Sequence, residues 1–221
     1  MLKELLKHFG QTYSKELNID LKSKKPQELF KWFLASLLFG ARISETCAKR
    51  TYKALEKYKL LSPQKIEKTS WDFLVSHIMA EGGYVRYDGK TSDELLRISS
   101  EIIDWYDGDL NKLHQKAKNS QHLEQLLQEF YSVGPITCNI FLRELRGIWK
   151  KANPDFSPYV KLAAEKLGIR DIKKYWQKNK IKGFDFTNFE AALLRLGKNF
   201  CHRKKCKVCS LKKYCKHPFY K

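Results

Sequence analysis

HLEQLLQEFYSVGPITCNIFLREL, residues 122–145, is the stretch on which the reading of this chain turns. Leu123, Leu126, Leu127 and Phe130 recur at helical spacing. Ser132-Val133-Gly134-Pro135 then stops the pattern. Gly134 is free to take φ > 0, and Pro135 suits the first position of a new helix, where its missing N–H costs nothing. Ile140, Phe141, Leu142 and Leu145 supply the next apolar face. The spacing predicts a helix, a tight turn and a second helix. Such a turn points free backbone N–H groups outward at a helix N-terminus, which makes an anion site. An ordinary helical hairpin inside a core would carry the same pattern. What separates the two readings lies elsewhere in the chain.

Upstream, residues 1–25 read as a short amphipathic helix and a basic linker ending at Pro26. Residues 26–58 are strongly helical, with an apolar stripe of Leu29, Phe30, Phe33, Leu34, Leu37 and Leu38. Gly40-Ala41-Arg42 breaks it, and Ser44 can cap the next helix, with Cys47 and Ala48 facing inward. Ser62-Pro63 and Ser70-Trp71 mark two more helix starts. Residues 80–90, AEGGYVRYDGK, form the clearest loop of this half. Its tyrosines and arginine could stack on bases or wedge into a duplex; they could equally pack back on the core. A helix opened by Ser92 or Asp93 runs to Tyr106 and ends at Asp107-Gly108-Asp109. Downstream, Ser157-Pro158 starts a helix over 158–167 that Gly168 stops, and 188–197 forms another apolar helix. No segment has strand periodicity. The fold class expected is all-α.

At 221 residues the chain can bury a sizeable core. Its 43 Lys and Arg against 24 Asp and Glu give a formal net charge of +19. That excess points to a polyanionic partner, nucleic acid first, against a generic lysine-rich surface as the alternative. No run approaches the ~18 apolar residues a membrane span needs. An intracellular, reducing location, cytoplasm or nucleoid, is expected, with no membrane partner and a monomeric state. Cysteines there are read as ligands before disulfides.

Cys201, Cys206, Cys209 and Cys215 form C-x4-C-x2-C-x5-C. Four thiolates this close along the chain suit one metal centre. A structural zinc site usually joins two C-x2-C knuckles across a longer loop. Here only one C-x2-C exists, and a [4Fe–4S] cluster, wider than one ion, suits a loop that wraps around it. The cluster is expected, with Zn²⁺ as the alternative. Cys47 and Cys138 read as core residues. Residues 200–221 also carry eight Lys and Arg and no acid; some offset a cluster's negative charge, and the others, Lys204 and Lys205 among them, should face phosphates.

Together these parts resemble the helix–hairpin–helix DNA glycosylases with an iron–sulfur cluster, the endonuclease III group. The hairpin Ser132–Thr137, the helix Asn188–Gly197 leading into Cys201, and the four-cysteine loop carry the likeness. Residues 29–55 look like the family's N-terminal helical pair, so the likeness covers most of 26–217. The first cysteine spacing departs from the family's by being two residues shorter. The resemblance implies two helical lobes with a cleft between them. Residues 26–110 plus 111–150 would form the lobe holding the helix–hairpin–helix (123–145). Residues 1–25 and 151–221 would form the second, with the cluster loop 201–215.

The family's chemistry is base excision, in which a damaged or mispaired base is flipped out of duplex DNA into a pocket. Strand-cutting members carry a hairpin Lys that forms a Schiff base. Ile136 stands there in this chain and cannot be a nucleophile, so the resemblance implies a monofunctional enzyme that uses water. The family's catalytic Asp matches Asp155 when counted forward from the hairpin. Counted back from the following helix, Ser157 takes the place. Asp155 is preferred because a carboxylate is what an oxocarbenium-like transition state needs close by; the alternative is an exposed Pro-Asp turn residue. Tyr159 is a second pocket candidate. Val133, Gly134, Ile136 and Thr137 would offer hairpin amides to a phosphate. Arg42 would enter the gap left by the flipped base, and Tyr84 and Arg86 lie in the other wedge region. The partner implied is double-stranded DNA with a damaged or mismatched base. A catalytically inactive lesion- or structure-binding protein on the same scaffold is the alternative. A small iron–sulfur redox protein would present an acidic or neutral docking face, which the +19 charge opposes.

Overall fold

The computed structural model describes residues 1–216. Among them every regular element is helical, and β pairing is limited to the isolated bridge between Arg146 and Trp149. No described helix is long and apolar enough to cross a membrane. In chain order the α-helices begin with α1 (Leu2–Phe9), α2 (Tyr13–Glu16), α3 (Pro26–Gly40), α4 (Glu45–Lys57), α5 (Pro63–Glu67), α6 (Trp71–Phe73) and α7 (Ala80–Gly82). They continue with α8 (Asp88–Tyr106), α9 (Leu110–Lys116), α10 (Ser120–Gln128), α11 (Pro135–Glu144), α12 (Pro158–Lys166), α13 (Ile172–Asn179) and α14 (Phe186–Leu196). π-helical turns join α6 to α7 (Leu74–Met79) and extend α14 (Gly197–Cys201).

The chain divides into two compact units, one of Leu17–Pro154 and one of Met1–Glu16 with the chain from Asp155 on. The sequence placed the divisions at 25/26 and 150/151. The first falls earlier because Leu17, Ile19 and Leu21 are buried, so the expected linker packs as part of the larger unit.

The larger unit is built on α3. Trp32, Phe33, Leu34, Ala35, Ser36 and Leu38 are all buried, so this helix has hardly any solvent face and runs through the core. It packs against α11 and α4. Trp32 Nε1–H donates to the Phe141 carbonyl at 3.0 Å, and Phe33 meets Phe141 edge-on at 5.1 Å. Fully burying each such ring stabilises by roughly 1.5–3 kcal/mol. Local chemistry sets the helix ends. Pro26 is the first residue of α3, and Ser44 caps α4 by accepting from the Cys47 N–H at 3.1 Å. Cys138 is buried as expected, while Cys47 is half-buried. α8 starts at Asp88, before the Ser92 or Asp93 that the sequence suggested. Thr91 and Ser92 are buried within it, so they serve as core-facing residues rather than caps.

In the smaller unit α14 lies against α1 and α12. Asp185 and Asn188 close a capping box at its start. Phe189 is stacked by Trp176 at 5.4 Å and by Tyr175 at 5.9 Å. Asn188 donates to the Gly10 carbonyl at 2.8 Å, and Arg195 reaches Glu16 at 2.6 Å while lying over the Tyr13 ring. These bonds tie the N-terminal segment to α14.

One histidine makes the larger unit pH-sensitive. His114 stacks on Trp149 at 4.7 Å, and the Lys151 N–H points at its Nε2. Burial, then the Lys151 and Lys24 charges, holds its pKa below the usual 6.5. The unfolded chain therefore takes up a proton first as pH falls. The stability from this group is present above 6.5 and is lost between 6.5 and the lower folded value. His114→Phe, which keeps the stack, should flatten this part of the pH profile in urea unfolding; an unchanged profile would assign the acid sensitivity elsewhere.

Candidate functional site

The turn between α10 and α11 lies in the larger unit. Phe130 is buried and stacks on Trp105 at 5.5 Å. The left-handed residue is Ser132, at φ 62°, and not Gly134, which sits extended at φ −101° as the N-cap of α11. Val133 is buried, and its N–H donates to the Phe130 carbonyl at 3.1 Å. Its amide is therefore spent in closing the turn, which removes it from the expected anion contacts. The amides of Gly134, Ile136 and Thr137 have no hydrogen-bond partner among the described residues, and no side chain caps the helix. Pro135, between them, has no N–H to offer. Ile136 is 68% exposed, while Thr137 is buried against Gly40. Backbone donors at a bare helix start, with an aliphatic side chain beside them, can bind an anion but cannot attack a substrate.

The loop after α7 corrects a second expectation. Tyr84 is 4% exposed, and its hydroxyl lies 2.8 Å from Thr91 Oγ1. Burial raises its pKa above the usual value. The reason is the helix end. Gly83 takes φ 71°, its N–H reaches Ala80, and the Tyr84 N–H reaches the Met79 carbonyl. This is a Schellman closure, whose following residue folds back onto the helix. Gly-Gly-aromatic after an apolar helix was the signal for it. The outward residues are Val85, at 85% exposure, Arg86 and Tyr87. Arg42 is exposed in the bend between α3 and α4. A basic groove also runs along α4, but Lys49, Lys53 and Lys57 are each paired with a carboxylate, of Glu45, Glu56 and Glu81, within 2.9 Å. That face is charge-balanced rather than a phosphate track.

Between α11 and Pro154 the connection is closed by Arg146. Its buried guanidinium donates to Asn153 Oδ1 at 2.7 Å and to the Pro154 carbonyl. Asp155 follows, exposed, at the first position of the smaller unit. Ser157 caps α12 by accepting from the Val160 N–H. Tyr159 is half-buried, with its ring edge-on to His202 at 5.2 Å. Tyr159 and the cysteine loop are therefore neighbours.

The loop itself grows out of α14. Cys201 ends the π turn and is buried. Burial first, then the thiols of Cys209, Cys215 and Cys206, pushes its pKa up to about 12, with Lys166 acting the other way. Burial raises Cys209 as well. Short turns shape the loop, among them Cys209 N–H to Cys206 and Cys215 N–H to Lys212. Its far end is tied to α12 by Lys216 N–H to the Lys166 carbonyl at 2.8 Å, and to α1 by Lys213 and Tyr214 on Glu4. Lys204 and Lys205 are exposed. Among the described residues no group of three or more His, Cys, Asp or Glu is drawn together as a single-ion site. The donor chemistry nevertheless fits a thiolate-held centre, because three thiols act on the buried fourth and no acid lies in the loop.

No protein-family model and no curated protein matches the chain.

Proposed function

We propose that this chain is a DNA N-glycosylase of base-excision repair, which releases a damaged or mismatched base from duplex DNA by hydrolysis. The observation that carries the reading is the start of α11. Three backbone N–H groups there lack a protein partner, on a chain of net charge +19. The helix dipole adds roughly half a positive charge at the same place. A backbone phosphate meets both needs. Arg42, Arg86, Lys204 and Lys205 are exposed cations suited to further contacts. Val85 and Tyr87 replace Tyr84 as the residues able to wedge between bases.

The bond that breaks joins the sugar C1′ to the base. Water supplies the new C1′–O bond, and the base leaves with the water's proton. The Asp155 carboxylate stabilises the cationic sugar between these events. Ile136 carries no amine, so no Schiff base forms at the hairpin. Cys201, Cys206, Cys209 and Cys215 would hold a [4Fe–4S] cluster. When bound, it supplies a covalent tie across the loop that carries Lys204 and Lys205. The family-like spacing of the last three cysteines supports this, as do the flanking cations.

A second reading, a lesion-binding protein without catalysis, draws on one observation: Ser157, not Asp155, caps α12. Duplexes each carrying one common lesion separate the two. The enzyme should leave abasic sites that break only after alkali, with no borohydride-trapped adduct. Binding without base release from any of them would favour the second reading. The purified protein should show broad thiolate–iron absorption; a colourless protein containing zinc would replace the cluster.

A further inference from the structure

Glu94, Arg97, Glu101 and Trp105 lie along one face of α8, at the three- and four-residue steps that align side chains on a helix. That face holds the α10–α11 turn. Glu101 Oε2 accepts from the Tyr131 N–H at 2.8 Å. Its other oxygen accepts from Arg97 Nε at 3.0 Å, and the same guanidinium lies 4.0 Å from the centre of the Tyr131 ring. Ser132 Oγ–H donates to Glu94 Oε1 at 2.6 Å. Trp105 stacks on Phe130, one residue earlier. Ser132 is a non-glycine residue in the left-handed region, a conformation that costs on the order of 1 kcal/mol and persists when its surroundings impose it. Two carboxylates thus grip two successive residues at the point where the chain is strained. The free amides of Gly134, Ile136 and Thr137 follow directly.

We infer that Glu94 and Glu101 are positioning residues for DNA binding: by fixing Tyr131 and Ser132 they aim the hairpin amides at a phosphate. The inference rests on the hairpin being the DNA grip. Neither carboxylate bonds the anion. Their presence beside it is the notable point, since an acid near a phosphate repels it. Removing one makes the chain more positive, and long-range electrostatics alone then tightens binding to a polyanion. Positioning predicts the opposite sign.

The test is a titration of the whole protein with a fluorescein-labelled duplex carrying a tetrahydrofuran abasic-site analogue, repeated over a salt series. Glu101→Ala should bind several-fold more weakly despite its added positive charge. Its slope of log affinity on log salt should be shallower by about 0.9, one phosphate contact. Glu101→Gln gains the same charge but keeps an acceptor for the Tyr131 N–H, so its affinity should return to the original level or above. Ser132→Ala, which removes only the bond to Glu94, should weaken binding in the same direction and guards against a Glu101→Ala chain that does not fold. A residue that merely stabilises the fold would lower the melting temperature and leave the salt slope of the folded protein alone. Unchanged or tighter binding by Glu101→Ala and Ser132→Ala overturns the inference. If the unaltered protein itself shows no salt-dependent binding, the hairpin grip falls, and the inference with it.

Discussion

Asp155→Asn is expected to slow base release by about 10²- to 10³-fold, the usual cost of removing a group that stabilises transition-state charge. The substitution keeps shape and removes only the charge. Stability should hardly change, because Asp155 is exposed and the helix after it is capped by Ser157. Ser157→Ala should show the reverse pattern. Loss of the cap costs ~1 kcal/mol of stability, while base release by the folded fraction stays near its original rate. The two residues are separated only by Phe156, and the pair decides which count of the 146–157 connection is functional. Single-turnover rates on a lesion duplex, measured with urea unfolding, read both effects. If Asp155→Asn keeps full activity and Ser157→Ala loses it, the chemistry belongs to the cap position, and a carboxylate mechanism is wrong.

That uncertainty shows what sequence could and could not reach. Helix starts were legible where one residue dictates backbone geometry: Pro26, Ser44, Pro63, Ser70 and Ser157 all stand at or just before a helix. Stops at Gly40, Asp107 and Gly168 were legible for the same reason. The short helix α13 was not, since only Ile172 and Trp176 of its eight residues are buried and its periodic signal is weak. Its Asp171 cap was the one usable cue.

At the candidate site, residue type was legible and orientation was not. The aromatic loop after α7 was identified, but which tyrosine faces water depended on how the helix closed at Gly83. The turn at 132–134 was identified, but its left-handed residue was assigned to glycine because glycine enters that region without cost. Ser132 takes it because α8 holds it there, through a contact 38 residues away in sequence. Local patterns carry no information about such a distant partner. The two π turns were illegible for a related reason: an inserted helical residue is dictated by packing rather than by composition.

One of those turns yields the second large effect. Gly197→Ala should destabilise the smaller unit by about 2 kcal/mol, although helix propensity alone favours alanine by ~1 kcal/mol. Gly197 sits at helical dihedrals, φ −61° and ψ −49°, so a side chain there meets no backbone strain. Space is the obstacle. A Cβ would run into the Tyr159 carbonyl oxygen and stand 2.7 Å from its carbon and 3.1 Å from its Cα. These are backbone atoms of α12, so no rotamer change relieves the contact. The two helices must part, and overpacking of this kind costs up to ~3 kcal/mol, which outweighs the propensity gain. The displacement would travel to the cysteine loop, since His202 N–H bonds the Gly197 carbonyl at 2.8 Å and Cys201 ends the same turn. Gly134→Ala is the control: nothing lies within 4 Å of a Cβ there, and φ is −101°. It should leave stability almost unchanged. Denaturant unfolding, with hydrogen exchange of the α12 and α14 amides, localises the loss. A Gly197→Ala chain as stable as the original would mean that α12 and the end of α14 lie further apart than this structure places them, and that the cysteine loop is not held by their contact.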